Sequence, residues 1–556
     1  MRLWRNGALV RALLSFGAAF TAEWAFTVAV GLVAYAEGGA WAVGLLGLAR
    51  LVPAALLAPV VTAYADRMPP ERLLVASSAL RGLATTAAAL VLLVDGPVVL
   101  VYGFVVVATV SGTPFRAAHS ALLPALCHTP DELTAVNVAR GGLDSASVVV
   151  GPLVAALLLA VSDVAAVFVF SGLCGLLSAA LLLRLDYDRT EPAAGRRRGL
   201  AAEVREGFVA VGSEPGVAVV VGLVVLQAMI RGAFGVLVVV VAIDLLRRDE
   251  ASVGVLQAAV GVGALVGSLC CVLLVGSRAM TRWLGVAVVL WGLPLAVVGL
   301  LPSYAVALVA AGVIGVGNAL VDVTAFTLLA RMTPQDVMAR VFGVLESLGA
   351  LAVGLGSLLA PVLIGLLGVP GALAAVGALA PVVCVLRWRR LTAIDRSVGV
   401  RTDAILLLRQ VPMLRPLSVP VLERLAQGVR RVEAAAGETV FEAGDLGDSF
   451  YVVDDGTVRV LDGGRAVRTL GRGEGFGEIA LLGRTRRTMT VRAVDAVRLC
   501  RVPSDVFLPA VTSMSEARAV AEATRRSHLD HAPGTSPSTS PGTPPGTPDG
   551  TADADG

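Results

Sequence analysis

Over the first 390 residues apolar positions run together in blocks without a polar face, and charged residues collect in short breaks between the blocks. A helix that is apolar all round has no aqueous side, and about 20 such residues are needed to cross a bilayer. Blocks of that length lie near 12–35, 41–64, 72–94, 97–122, 138–160, 163–184, 217–245, 252–275, 283–301, 303–330, 340–366 and 369–388. They predict twelve transmembrane helices. The first is too long for a signal peptide, and it lacks the small-residue cleavage pattern.

After Arg390 the pattern changes. The stretch "TDAILLLRQVPMLRPLSVPVLERLAQGVRRV" has apolar residues at three- and four-residue spacing and predicts short amphipathic helices. Short alternating runs cut by glycines follow, from Gly437 to Arg501, and predict strands. The turn "DDG" between Val453 and Val458 reads as a hairpin signal. A helix is expected from about Asp505 and another through 515–526, and the Pro/Gly/Ser/Thr-rich tail 527–556 is expected to be disordered.

Composition changes this picture little. Of 556 residues 56% are hydrophobic and 16% charged, with a mean hydropathy of +0.81, so lipid must solvate most of the chain. A net charge of +3 implies no nucleic-acid partner. The six cysteines and four histidines have neither disulfide-framework nor zinc spacing, so no cofactor or metal is expected. Arginines gather in alternate breaks, at Arg67 and Arg72, Arg196 to Arg198, Arg278 and Arg282, Arg331 and Arg340, and Arg387 to Arg390. The positive-inside rule then places both ends in the cytoplasm of a multi-pass plasma-membrane protein.

An internal repeat supports two halves. "TPDELTAVNVARG" at Thr129 matches "TPQDVMARVFGVL" at Thr333, and "ERLLVASSALRGL" (71–83) matches "TRWLGVAVVLWGL" (281–293), at offsets of 204 and 210. The halves are about 1–184 and 217–390, joined by the loop 185–216. Twelve helices in two parallel repeats, with "AYADRMPPERLL" after the second, resemble the major facilitator superfamily. Asp66, Arg67 and Arg72 match that family's cytoplasmic gating loop, while Thr62, Pro69, Pro70 and Glu71 depart from it. "GP" at Gly151 and Pro152 resembles a motif of its exporters.

Ionisable residues inside apolar blocks each need a reason, because a charge at the bilayer centre costs ~2.5–3.5 kcal/mol on insertion scales. Glu23, Arg231 and Asp322 lie inside the first, seventh and tenth blocks, which the resemblance makes cavity-lining helices; Arg116 lies near the cytoplasmic end of the fourth. They are the candidates for pairing with substrate or carrying coupling protons, against a purely structural ion pair between halves. For Asp144 and Glu346 the structural role is preferred.

The stretch "FGEIALLGRTRRTMTVRA" (476–493) is polar and arginine-rich, with Glu478 nine positions before Arg487. A carboxylate suits a ribose hydroxyl, and a guanidinium suits a singly charged cyclic phosphate. Residues 403–526 resemble a cyclic nucleotide-binding domain, and this stretch resembles its phosphate-binding cassette along its whole length. The resemblance implies a small cytoplasmic β-barrel of double-stranded β-helix type with flanking helices, tied to the mainly α membrane domain 1–390 by the linker 391–402. It also implies cAMP or cGMP as regulatory ligand, with Glu478 on the ribose, Arg487 on the phosphate, and amides from Gly477 and Ala480 within the segment Phe476 to Ala480 that includes Ile479. Thr488 is the residue type that contacts guanine in that family, and Arg486 replaces its usual proline. The expected function is a non-enzymatic secondary transporter, of efflux type and with protons as candidate coupling ion, moving a small molecule under cyclic-nucleotide control. The alternative is a non-transporting membrane receptor.

Overall fold

The computed structural model describes residues 6–65, 68–127, 129–183, 200–271, 274, 279–333, 335–483 and 485–512. Asp66, Arg67, the tail 527–556, the expected helix 515–526 and residues 185–199 of the loop 185–216 lie outside them. The chain divides into two units, Met1–Arg396 and Ser397–Gly556.

In the first unit, six helices precede the connecting segment: α1 (Gly7–Ala65), α2 (Pro70–Leu93), α3 (Val98–Gly112), α4 (Phe115–Leu126), α5 (Pro130–Val161) and α6 (Val164–Leu182). The short α7 (Leu200–Ser213) follows, within the stretch expected to be a loop. Then come α8 (Pro215–Val240, prolonged by a π turn over Val241–Leu245), α9 (Ala251–Cys271), α10 (Met280–Leu300), α11 (Tyr304–Met332) and α12 (Gln335–Leu408).

The twelve expected spans appear as fewer continuous helical stretches. Among the described residues ten helical stretches are long and apolar enough to cross a membrane, two of them Gly7–Ala54 and Arg340–Arg396. Blocks one and two fall within α1, interrupted only at Gly38 and Gly39, and blocks eleven and twelve fall within α12, interrupted only at Gly368. Gly39 and Gly368 take positive φ (58° and 70°), and each kink there joins two helices. The sequence breaks are real: Arg50, beyond Gly39, lies in the field of Glu23, so two helices meet at that kink, and 48 residues of straight helix would run about 72 Å, over twice a bilayer's hydrocarbon core.

The repeat has a packing counterpart. A Cβ on Gly82 would lie 2.8 Å from the Leu176 amide of α6, and one on Gly292 would lie 2.7 Å from the Gly377 carbonyl of α12. Gly82 and Gly292 occupy equivalent places in the two matched segments. Without side chains there, α2 and α10 each approach a neighbouring helix at backbone contact, the packing that small residues permit in membranes. Thr129 caps α5 by accepting a hydrogen bond from the Glu132 amide at 3.2 Å, which explains why its T-P-acidic segment starts a helix.

In the second unit eight strands, β1 (Arg430–Ala434), β2 (Thr439–Phe441), β3 (Ser449–Asp455), β4 (Val458–Asp462), β5 (Arg465–Leu470), β6 (Gly475–Phe476), β7 (Thr490–Ala493) and β8 (Val497–Pro503), form two antiparallel four-stranded sheets. Their orders are β1-β8-β3-β6 and β2-β7-β4-β5, and neither sheet closes, which corrects the expected barrel. The "DDG" hairpin is corrected as well. β3 pairs with β8 and β6 while β4 pairs with β7 and β5, so the turn carries the chain from one sheet to the other. A turn signal reports a reversal, and hydrogen-bonding partners are chosen by the remaining strands. The tight hairpin lies one strand later, between Asp462 and Arg465.

β3 is buried on both faces. Phe450 and Val452 join the helices α13 (Val419–Gly428) and α15 (Ser504–Thr512) in one apolar cluster, with Phe450 stacked on Phe507 at 4.6 Å. Tyr451 and Val453 point the other way, into a second cluster shared with Val458, Val491 and Leu499. The period-2 alternation of a strand thus serves two cores at once.

Candidate functional site

Residues Phe476, Gly477, Glu478, Ile479, Ala480, Arg487 and Thr488 all line one cavity of about 490 Å³, a size typical of small-molecule sites. β6 delivers Phe476, and the six-residue helix α14 (Glu478–Gly483) carries Glu478 to Ala480. Gly477 joins them at φ 93°, and a Cβ there would lie 2.7 Å from Nη1 of Arg487. Only glycine accepts that backbone and leaves room for the guanidinium.

Arg487 is held from both ends. Its amide donates to the Asp445 carbonyl at 2.8 Å, and its own carbonyl accepts from the Gly444 amide at 2.8 Å. Its side chain is 2% exposed. Nη1 donates to the Gly477 carbonyl at 2.8 Å and Nη2 to the Ser449 carbonyl at 2.7 Å, while the Asp448 carboxylate stands 3.7 Å away. Nε is buried with no acceptor. Cζ lies 4.2 Å over the Phe441 ring. Burial lowers the Arg487 pKa from its ordinary value, and the charges of Tyr451, Asp448, Glu478 and Asp445 oppose that shift. The result is a buried cation whose hydrogen-bond acceptors are neutral carbonyls, with the Asp448 carboxylate as a more distant ion-pair partner. Glu478, also buried, lines the same cavity.

Eight of the fifteen lining residues escaped the sequence reading, Arg468 and Phe441 among them. Arg468 of β5 lines the cavity and pairs with Glu474 at 2.9 Å. Phe441 of β2 lies 46 positions before Arg487, with no local signal to join them.

The intramembrane candidates separate into two groups. Glu23 of α1 pairs with Arg81 of α2 at 3.3 Å, with Arg50 in the field of both. Arg81 was missed, although it lies inside an apolar block as Glu23 does. Arg116 of α4 holds Asp144 of α5 through two hydrogen bonds, at 2.9 and 3.2 Å, and stacks over Phe20 at 4.4 Å. Asp322 of α11 accepts from Asn318 at 3.2 Å and lies in the field of Arg231, Glu346, Arg116 and Asp144. Glu23 is therefore apart from Arg231 and Asp322, while Arg116 joins them. Arg72 is exposed in the first turn of α2.

Residues 12–357 match the family model described as Major Facilitator Superfamily, and residues 431–513 match that of the Cyclic nucleotide-binding domain. The chain is similar to an uncharacterized protein of Mycobacterium tuberculosis, 34% identical over 122 residues that make up 22% of this chain and 24% of that protein. It is also similar to the cAMP-dependent protein kinase regulatory subunit of Schizosaccharomyces pombe, 35% identical over 102 residues, 18% of this chain and 25% of that protein. The chain thus spans about a quarter of the length of these curated relatives. A co-crystal structure of the regulatory domain of Toxoplasma gondii PKA with cAMP aligns at TM-score 0.21 and 29% identity, over 24% of this chain and 49% of that one. Both matched families are of non-catalytic type. Among the described residues no three His, Cys, Asp or Glu side chains are grouped to hold a metal ion. This multi-pass membrane protein belongs to the Major Facilitator Superfamily and carries a cyclic nucleotide-binding domain at residues 431–513.

Proposed function

We propose that the protein is a secondary transporter that exports a small molecule and is regulated by cAMP or cGMP bound in its second unit. The observation that carries the nucleotide reading is Arg487, a buried guanidinium with neutral acceptors and an unused Nε, in a cavity of about 490 Å³. In this reading the cyclic phosphate is the missing anion, Glu478 accepts from the ribose 2′-hydroxyl, the amides of Gly477 and Ala480 donate to the phosphate, and Thr488 faces the base. The domains are 1–390 for transport, 391–402 as linker and 403–526 for the nucleotide, followed by the tail 527–556.

Transport rests on the family and on the charged groups between the halves. Arg116 and Asp144 come from the first half, and Arg231 and Asp322 from the second. That is where alternating access opens and closes a site in parallel-repeat transporters. Asp322 and Glu23 are the candidate proton carriers, and Asp66, Arg67 and Arg72 the candidate gate. The arginine bias places both ends in the cytoplasm, where cyclic nucleotides are made, and the plasma membrane is the proposed location.

The test is calorimetric titration of the purified full-length protein with cAMP and with cGMP. Binding of either is expected, weakened at least about tenfold by Arg487→Ala, because a charge-assisted pair contributes ~1.5–3 kcal/mol. No binding of either nucleotide by the unaltered protein overturns the reading.

A further inference from the structure

Arg487 needs more than acceptors to be useful: its guanidinium must be held in a fixed plane at the wall of the cavity it lines. Phe441 lies under that plane, with Cζ of Arg487 4.2 Å from the ring centroid. The ring is fixed in turn by Tyr451 at 5.8 Å and Phe476 at 5.9 Å, which stack on each other at 5.3 Å.

The backbone provides for this contact. β2 pairs with β7 through Thr439 opposite Arg492 and Phe441 opposite Val491, so Val440 is an extra residue in β2. Such a bulge bends a strand and re-aims the side chain beside it, often at a binding site. Here it stands in the short strand that carries Phe441, and that ring lines the cavity.

We propose that Phe441 is a positioning residue for nucleotide binding, its aromatic face holding the Arg487 guanidinium in the orientation that meets the phosphate. The proposal rests on the nucleotide reading above. A carboxylate in that place would neutralise the arginine and compete with the ligand. A π face attracts the cation and leaves its charge available. An aliphatic side chain would fill the space without orienting the plane.

The experiment is titration of the full-length protein with a fluorescent cyclic nucleotide, competed with cAMP and cGMP. Three forms are compared with the unaltered one: Phe441→Leu, Phe441→Tyr, and pentafluorophenylalanine at position 441, which keeps the shape but withdraws the negative face. The leucine and fluorinated forms are expected to bind about 3- to 30-fold more weakly, and the tyrosine form within about twofold of the unaltered protein. In an Arg487→Gln background the fluorinated ring is expected to cost nothing further. Unaltered affinity in the fluorinated form overturns the proposal, as does an equal loss in the Arg487→Gln background. If the unaltered protein binds no nucleotide, the nucleotide reading falls first and this assignment with it. Binding that is indifferent to position 441 removes the assignment alone.

Discussion

Arg81 of α2 sets Nη1 3.3 Å from Oε2 of Glu23 on α1, with the arginine nearly buried and the carboxylate half exposed. The pair joins two helices of the first half, so part of the role of Glu23 is architectural. Because Glu23 is half exposed, the coupling is discounted to no more than about 1 kcal/mol. A double-mutant cycle with Glu23→Gln and Arg81→Gln, read as apparent unfolding temperature in detergent micelles, is expected to show that coupling. Strict additivity of the two changes would mean the pair contributes nothing.

Asp395 is expected to be a larger stabilising residue. It is 6% exposed, accepts from the Thr281 amide at 2.7 Å, and receives the Arg282 amide and Nε at 3.2 and 3.0 Å. It thereby satisfies the first turn of α10 from the far end of α12. Asp395→Ala leaves those donors without an acceptor and is expected to cost about 1–3 kcal/mol, with Asp395→Asn recovering part. Equal unfolding temperatures for both variants and the unaltered protein would refute this.

Gly477→Ala tests the room around Arg487. The added Cβ meets Nη1 at 2.7 Å on a backbone at φ 93°, so the guanidinium must shift. A loss of nucleotide affinity of about tenfold or more is expected, from strain of ~1–3 kcal/mol. Calorimetry showing undiminished affinity would mean that Arg487 tolerates displacement.

Acid should weaken the second unit through Asp495. Its carboxylate accepts from the Thr457 amide at 2.7 Å and hydroxyl at 3.0 Å, and the amide bond is the main cause of its lowered pKa. With the folded value below the unfolded one, the stabilisation is complete above the unfolded pKa, about 3.9, and is lost as pH falls through the folded value. Asp495→Asn is therefore expected to flatten the fall of unfolding temperature between about pH 5 and pH 3. Parallel curves for the two proteins would exclude the contribution.

The nucleotide cassette was legible because it is local. Phe476 to Thr488 form one strand end, one helical turn and one loop, and contiguity alone brings all seven expected residues to the same cavity. Hydropathy marked the membrane blocks equally well, since a helix in lipid needs apolar residues on every side. Tertiary structure decided what those signals cannot carry. Gly38, Gly39 and Gly368 look like chain breaks, and each joins two helices across a kink, because a glycine permits a reversal without specifying how long the connection is. The sheet membership of β3 and β4, the pairing of Glu23 with Arg81 in place of Arg231, and the seat of Arg487 on Phe441 all join residues distant in sequence. Periodicity states which face of an element is apolar. The partner of that face is settled only when every strand and helix competes for it in the folded chain.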